Sequence, residues 1–135
     1  MNFPLVHELL RNSIKGDGFR YWEPHDWFDL EVGKLPEAAM QDGFTLRFVS
    51  QEPSEHNSDV MAKLTMEVEF ALEARKDRYT TRMITAQTAI RSLRTVLTDE
   101  GLSVLDDYIW PNFTMQYLGE IVAMTFTIFF EVDSN

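Results

Sequence analysis

The feature that most constrains the fold is the alternation of apolar and polar side chains between Lys63 and Glu73. Successive side chains of a β-strand point to opposite faces, so the pattern predicts a strand with one buried and one hydrated face. A strand of a parallel sheet is covered on both faces and would not alternate, so we expect an antiparallel sheet. The apolar positions are Leu64, Met66, Val68, Phe70 and Leu72, and the polar positions are Lys63, Thr65, Glu67, Glu69 and Glu73.

Three further segments alternate with the same period and are predicted to be strands: Phe44–Ser50, Phe113–Tyr117 and Ile121–Val132. In the last of them the even-numbered positions are apolar. The opposite face is mostly small and polar, but it also carries Ile121 and Phe129. Large apolar residues on both faces predict that this strand is partly covered on its second side.

Two segments have a helical period instead. The first runs from about Phe3 to Ser13, with Pro4 in the first turn, where its missing N–H costs nothing. The second runs from Asp77 to Leu97 and carries a narrow apolar stripe along one side. The stripe consists of Tyr79, Met83, Ala86, Ile90, Leu93 and Leu97.

The order of these segments predicts the fold class. Two hairpins separated by a helix give an α+β protein, with a four-stranded, mainly antiparallel sheet and the long helix and the N-terminal helix packed on one face. A length of 135 residues suits a single domain, which we assign to residues 1–135.

Residues 17–43 keep no sustained period and hold five aromatic side chains among acidic ones. We predict an irregular connection with one short strand near Phe28–Val32. Five aromatic side chains are too many to remain hydrated, which leaves two interpretations. They cover the sheet edge or the end of the first helix, or some of them, with Trp22 and Trp27 as candidates, form an interface with another subunit.

Composition excludes several classes of function. The chain has no cysteine, so it has neither disulfides nor thiolate metal sites, which fits a reducing compartment. A formal net charge of −10 disfavours nucleic-acid binding, because affinity for phosphates depends on basic side chains. No secretory signal is predicted. No run of apolar residues approaches the ~18 that a membrane span needs, so we expect no membrane partner.

The charges are unevenly distributed. The segment from Arg75 to Thr98 contains six basic residues and one acidic residue, a formal charge of +5, which leaves −15 for the rest of the chain. Such a surface can simply be hydrated, or the basic region of one copy can face the acidic region of the next. On this second interpretation Arg78, Arg82, Arg91 and Arg94 in the helix are candidates for contacts between subunits. Glu52, Glu55 and Asp59 in a polar loop are candidates for docking onto a different partner protein.

The sequence offers no active site. None of the histidines His7, His25 and His56 lies at metal-ligand spacing from another, and the only site-like cluster is His25 with Asp26 and Asp29. The row of glutamates on the strand 63–73 is expected to be its hydrated face. We find no phosphate-binding glycine loop and no nucleophile elbow. We therefore predict that the protein is not an enzyme and uses no cofactor or metal.

The layout of the whole chain carries a resemblance. An opening helix, PLVHELLRNSI, and an irregular segment precede the strand FTLRFVS, the acidic loop QEPSEHNSDV and the alternating strand AKLTMEVEFALEA. The helix RYTTRMITAQTAIRSLRTVL then leads to the closing pair FTMQY and IVAMTFTIFFEV. This order resembles the tail-terminator (tail-completion) proteins of long-tailed, non-contractile bacteriophages.

The resemblance implies a structural role in virion assembly. Proteins of this family are small α+β domains that form a homohexameric ring on the end of the tail tube, beneath the head-to-tail connector. The implied partners are therefore other copies of the chain, the tail-tube protein and the connector protein. The implied location is the tail or neck of the virion, after assembly in the host cytoplasm. The family has no invariant catalytic or ligand motif, so no catalytic, cofactor or metal residue is implied.

Two alternatives belong to other classes of protein. The chain could be a small acidic protein-binding module, of the immunity or inhibitor type, whose acidic loop engages a basic partner. It could also be a small enzyme with a site at the sheet face, which would require perturbed titratable groups in a cleft.

Overall fold

The computed structural model describes residues 3–28, 41–53, 61–74, 78–100, 112–119 and 121–133. Three helices and five strands lie in these ranges. In chain order they are α1 (Phe3–Gly16), β1 (Arg20–Tyr21), α2 (Pro24–Phe28), β2 (Gly43–Pro53), β3 (Met61–Glu73), α3 (Arg78–Asp99), β4 (Asn112–Leu118) and β5 (Ile121–Asp133).

The strands form one sheet in the order β1-β2-β3-β5-β4. Every pairing is antiparallel except that of β1 with β2, which is parallel. The predicted α+β class is confirmed, but the predicted strand count is one too low, because β1 is two residues long and leaves no periodic pattern. The strand predicted near Phe28–Val32 is not seen in the described part, since Phe28 ends α2 and residues 29–32 lie outside the described residues.

The register of the sheet explains the alternation in the sequence. β3 pairs with β5 over its whole length, from Met61 opposite Asp133 to Glu73 opposite Ile121. The even-numbered side chains of both strands therefore share one face, against which the helices pack. There Phe44, Phe70 and Phe126 are fully buried. Each fully buried side chain of this size contributes roughly 1.5–3 kcal/mol of hydrophobic free energy.

Both long helices contribute one buried stripe to this core. In α1 the buried residues are Val6, Leu10 and Ile14, each four positions after the last. The predicted stripe of α3 is confirmed. Tyr79 and Met83 pack partly buried against the core. The other four residues of the stripe are buried: Ala86, Ile90, Leu93 and Leu97.

The end of α1 lies three residues beyond the predicted Ser13, at Gly16. The amide of Asp17 donates to the Ile14 carbonyl at 3.0 Å, and the amide of Gly18 donates to the Lys15 carbonyl at 3.1 Å. Gly18 has a φ of 95°, a left-handed conformation that glycine adopts without steric cost. The glycine therefore turns the chain from α1 into β1.

The second face of the sheet, which we call the open face, bears neither α1 nor α3. The short helix α2 covers one end of it, where Trp27 packs against Ala71 and Ile121. This confirms that the second side of the last strand is partly covered, as Ile121 indicated. The same contact places part of the aromatic segment on the sheet of its own chain.

Candidate interaction surfaces

Arg82, a predicted intersubunit residue, makes its contacts within its own chain. Its Nε donates to Asp42 Oδ1 at 2.8 Å, and its Nη2 donates to the Gly18 carbonyl at 3.4 Å. The guanidinium carbon lies 4.4 Å from the centroid of the Phe19 ring. Only 21% of the side chain is exposed. Arg82 therefore joins α3 to the turn after α1 and to the start of β2, and it offers little surface to another subunit.

The partner of Arg82 has an unusual backbone. Asp42 has a φ of 59°, in the left-handed region that Asp and Asn enter more often than other non-glycine residues. Its amide donates to the Ala71 carbonyl at 2.9 Å, and its carbonyl accepts from the Arg20 amide at 2.8 Å. Asp42 thus connects β1, β3 and α3 at one point, immediately before β2.

Arg91 and Arg94 lie on the outer surface of α3, away from the core, and both are exposed. The neighbouring outward positions include Ile84, which is 66% exposed, and Thr88 and Thr95. Arg78 is the first residue of α3, and its side chain lies outside the described part. Two of the four predicted arginines are thus found on a surface that a second subunit could reach.

Of the three acidic candidates, Glu52 alone lies in the described residues. It is exposed near the end of β2, directly opposite Lys63 of β3. Glu55 and Asp59 lie in residues 54–60, outside the described residues.

The two tryptophan candidates lie together at the covered end of the open face. Trp27 is 4% exposed, and its Nε1 donates to Glu69 Oε2. The other oxygen of Glu69 accepts from Thr125 Oγ1 at 3.1 Å. Trp22 packs half-buried against the same cluster, with the guanidinium carbon of Arg20 4.5 Å from its ring. In the single chain Trp27 covers the face of the sheet over β3 and β5, which are interior strands, and not the sheet edge that the first interpretation named.

The rest of the open face is polar. Arg47 and Glu67 face each other across β2 and β3, and Arg47 Nε donates to Glu67 Oε2 at 2.9 Å. Lys63 Nζ lies 5.1 Å from the Phe129 ring centroid. Exposed cross-strand pairs of this kind contribute about 0.2–1 kcal/mol each. Glu67 of the predicted glutamate row thus has a partner on a neighbouring strand, whereas Glu69 of the same row is partly buried at the covered end.

A histidine–tyrosine pair lies between α1 and the edge formed by β1 and β2. The Tyr21 hydroxyl is 3.2 Å from His7 Nε2, and the two rings meet edge to face with centroids 5.6 Å apart. Burial is the main cause that raises the pKa of Tyr21 to about 12, and the nearby charge of Glu23 adds to it. His7 is half-buried in this contact.

Burial also lowers the pKa of His7 below its usual value of 6.5. The charge of Arg11 acts in the same direction, whereas a hydrogen bond to the Leu46 backbone and the charge of Glu23 oppose the shift. The Tyr21 hydroxyl, which is within hydrogen-bond distance of His7 Nε2, also donates to Glu23 Oε2 at 3.4 Å. The pair lies beside a shallow groove lined by Pro4, His7, Glu8, Arg11 and Phe48.

We expect this histidine to make stability depend on pH. Because the pKa of His7 is lower in the folded state, the unfolded chain binds the proton first as the pH falls below about 6.5. The free energy of unfolding should therefore fall through this window and level off below the folded-state pKa. Urea unfolding between about pH 8 and pH 5 should show a steeper loss for the wild type than for His7→Gln. Parallel curves for the two proteins would show that His7 makes no such contribution.

Within the described residues, no three histidine, aspartate or glutamate side chains are placed to hold a metal ion. His25 and Asp26 of the site-like cluster are exposed on α2, and Asp29 lies outside the described residues. None of the helices described is both long enough and apolar enough to cross a membrane.

Comparison with models of protein families found no match. A search of curated proteins likewise found no match. A proposal about the function of the chain therefore depends on its own sequence and structure.

Proposed function

We propose that this chain is a structural virion assembly protein, a tail terminator whose copies form a ring. The ring caps the tail tube and joins it to the head-to-tail connector. The proposal rests on the order of the elements along the chain. α1, the β2–β3 hairpin, α3 and the β4–β5 hairpin follow one another in the order that the resemblance to this family implies.

The layering of the subunit supports an assembly that continues from copy to copy. The outer surface of α3 and the open face lie on opposite sides of the sheet. A contact between two different surfaces of successive copies is heterologous, and such contacts form rings when the rotation between copies closes. The proposed ring has six copies.

The distribution of charge supports the same contact. Arg91 and Arg94 are exposed on one side of the subunit, whereas exposed acidic residues such as Glu23 and Asp26 lie around β1 and α2. Complementary charged surfaces steer association and fix its register. In the proposed ring, the outer surface of α3 faces the acidic surface of the next copy. The end of β2 with Glu52, and the polar loop predicted from the sequence to follow it, with Glu55 and Asp59, dock onto the tube or the connector.

Charge substitutions matched in net charge test the ring contact. Arg91→Ala with Arg94→Ala, and Lys15→Glu alone, each change the formal net charge from −10 to −12. Lys15 is exposed in the last turn of α1, a helix that carries none of the residues of the proposed contact. Sedimentation velocity at low salt should show that the double variant loses the ring and Lys15→Glu keeps it. Equal loss in both variants would mean that only net charge matters, which contradicts a specific contact through α3.

The second candidate is a small acidic protein-binding module of the immunity or inhibitor type. It is favoured by the net charge of −10 and by the exposed Glu52 at the end of β2. Neutralising Glu52, Glu55 and Asp59 together should then abolish binding of a basic partner protein. A chain that stays monomeric at every salt and protein concentration would favour this candidate over the ring.

A further inference from the structure

The two edges of the sheet differ in how they are protected. At one edge β1 covers only the first two residues of β2. Beyond β1 the register of β2 shifts between Phe48 and Ser50, and His7 forms a hydrogen bond with the Leu46 backbone. Irregular strands and covering side chains are common means of preventing a sheet edge from pairing with another chain. The edge formed by β1 and β2 is therefore protected against pairing with a strand of another chain.

The other edge is β4, which among the described strands pairs with β5 alone. Its seven residues, Asn112–Leu118, pair with β5 without a shift in register. It contains no charged residue, whereas each of the other four strands contains at least one. Charges and bulges are the usual protection of an edge strand, and β4 has neither.

Apolar side chains border the β4 edge. Tyr117 is 67% exposed, and its ring meets that of Tyr79 edge to face with centroids 6.1 Å apart. Phe113, Met115 and Met83 pack only partly buried against the core on the same side of the sheet. An added strand would thus gain both backbone hydrogen bonds and apolar contacts.

We propose that β4 is a self-association edge, to which the β4 strand of a second copy adds in antiparallel orientation. A two-fold axis at Met115 places Phe113 opposite Tyr117 of the other copy and Thr114 opposite its Gln116. The two sheets then become one, with the helices of both copies on the same side. This contact is isologous, whereas the ring contact is heterologous, so it goes beyond the proposed function and does not rest on it.

The chemistry of the edge favours a second copy as the occupant. A charged peptide would find no counter-charge along β4, whereas a second β4 is uncharged and sets the aromatic residues Phe113 and Tyr117 opposite each other on both sides of the axis. Each chain has a net charge of −10, but two paired β4 strands do not repel each other locally, because β4 has no charged residue. A strand this short covers less than the ~800 Å² per partner of a typical stable complex, so the dimer should dissociate on dilution.

A pair of double variants tests both the edge and its register. Thr114 and Gln116 are exposed on the open face, and each faces the other across the two-fold axis. Thr114→Glu with Gln116→Glu sets like charges opposite each other twice, whereas Thr114→Glu with Gln116→Lys sets opposite charges there twice. Sedimentation should be measured from about 10 µM to 1 mM at about 0.5 M salt, where the proposed ring dissociates and the β4 contact remains, with circular dichroism as the check on folding.

We expect a wild-type dimer whose Kd rises about 5- to 30-fold in the Glu–Glu variant and is kept or lowered in the Glu–Lys variant. A wild type that remains monomeric at the highest concentration would overturn the proposal. A dimer that neither variant weakens, or that both weaken equally, would also overturn it. A ring that persists in the Glu–Glu variant leaves the tail-terminator proposal intact, so the two proposals fail separately.

Discussion

Replacing Phe70 by alanine should destabilise the fold more than any other single change considered for this chain. The ring of Phe70 is fully buried and contacts three aromatic rings, those of Phe19, Phe44 and Phe126, at centroid distances of 4.8, 6.0 and 5.8 Å. Truncating such a side chain leaves a cavity and costs about 3–5 kcal/mol. That is a large part of the about 5–15 kcal/mol by which domains are typically stable.

Urea unfolding at a fixed low protein concentration measures this loss, and Ile84→Ala is the matched control. Ile84 is a large apolar residue on α3, but it is 66% exposed. Its truncation should change the free energy of unfolding by about 0.5 kcal/mol or less. Similar losses for the two variants would mean that the aromatic cluster is not the centre of the core.

Replacing Trp27 by alanine should have the second-largest effect. The indole fills the contact with Ala71 and Ile121 on the open face and donates a hydrogen bond to Glu69. Its removal should cost about 3–5 kcal/mol in the free energy of unfolding, because the cluster loses its largest member.

Trp27→Phe separates packing from hydrogen bonding. Phenylalanine keeps an aromatic ring but removes the N–H that donates to Glu69, which retains its hydrogen bond from Thr125. The expected cost in unfolding free energy is about 1–2 kcal/mol. If Trp27→Ala left the monomer stable and weakened only assembly, Trp27 would be an interface residue, contrary to its burial in the single chain.

The sequence predicts the parts of the fold in which one period extends over many residues. The alternation of β3 persists for more than ten residues, and the apolar stripe of α3 persists along nearly the whole helix, so both elements were correctly predicted. β1 and α2 are two and five residues long, and neither is long enough for a period to be recognised. Their positions depend on tertiary contacts with β2 and the open face.

The roles of individual side chains were less predictable. The sequence shows that Arg82 is basic but not that Asp42, forty residues away, accepts its hydrogen bond. The sequence likewise left open whether Trp27 packs within its own chain or contacts another subunit, because residues 17–43 show no sustained period. One observation did point to the answer: Ile121 on the second face of β5 required an apolar neighbour, and Trp27 supplies it.

The β4 edge was visible in the sequence only in retrospect. Its lack of charge can be seen in the letters NFTMQYL, but the pairing order of the strands decides that it lies at an edge. Hairpin order alone leaves open which strand of β4 and β5 is central. The pairing of β5 with β3 resolves it and leaves β4 outermost.

The measurement that tests the central claim most directly is native mass spectrometry of the full chain, with images of stained particles from the same sample. At about 50 mM salt, where charged surfaces are weakly screened, the proposed ring should appear as particles of six times 15.7 kDa with a central hole. These particles should dissociate at about 0.5 M salt, because salt screens the charged contact between copies. Monomers or dimers alone under all conditions, with no closed particle in the images, would contradict it.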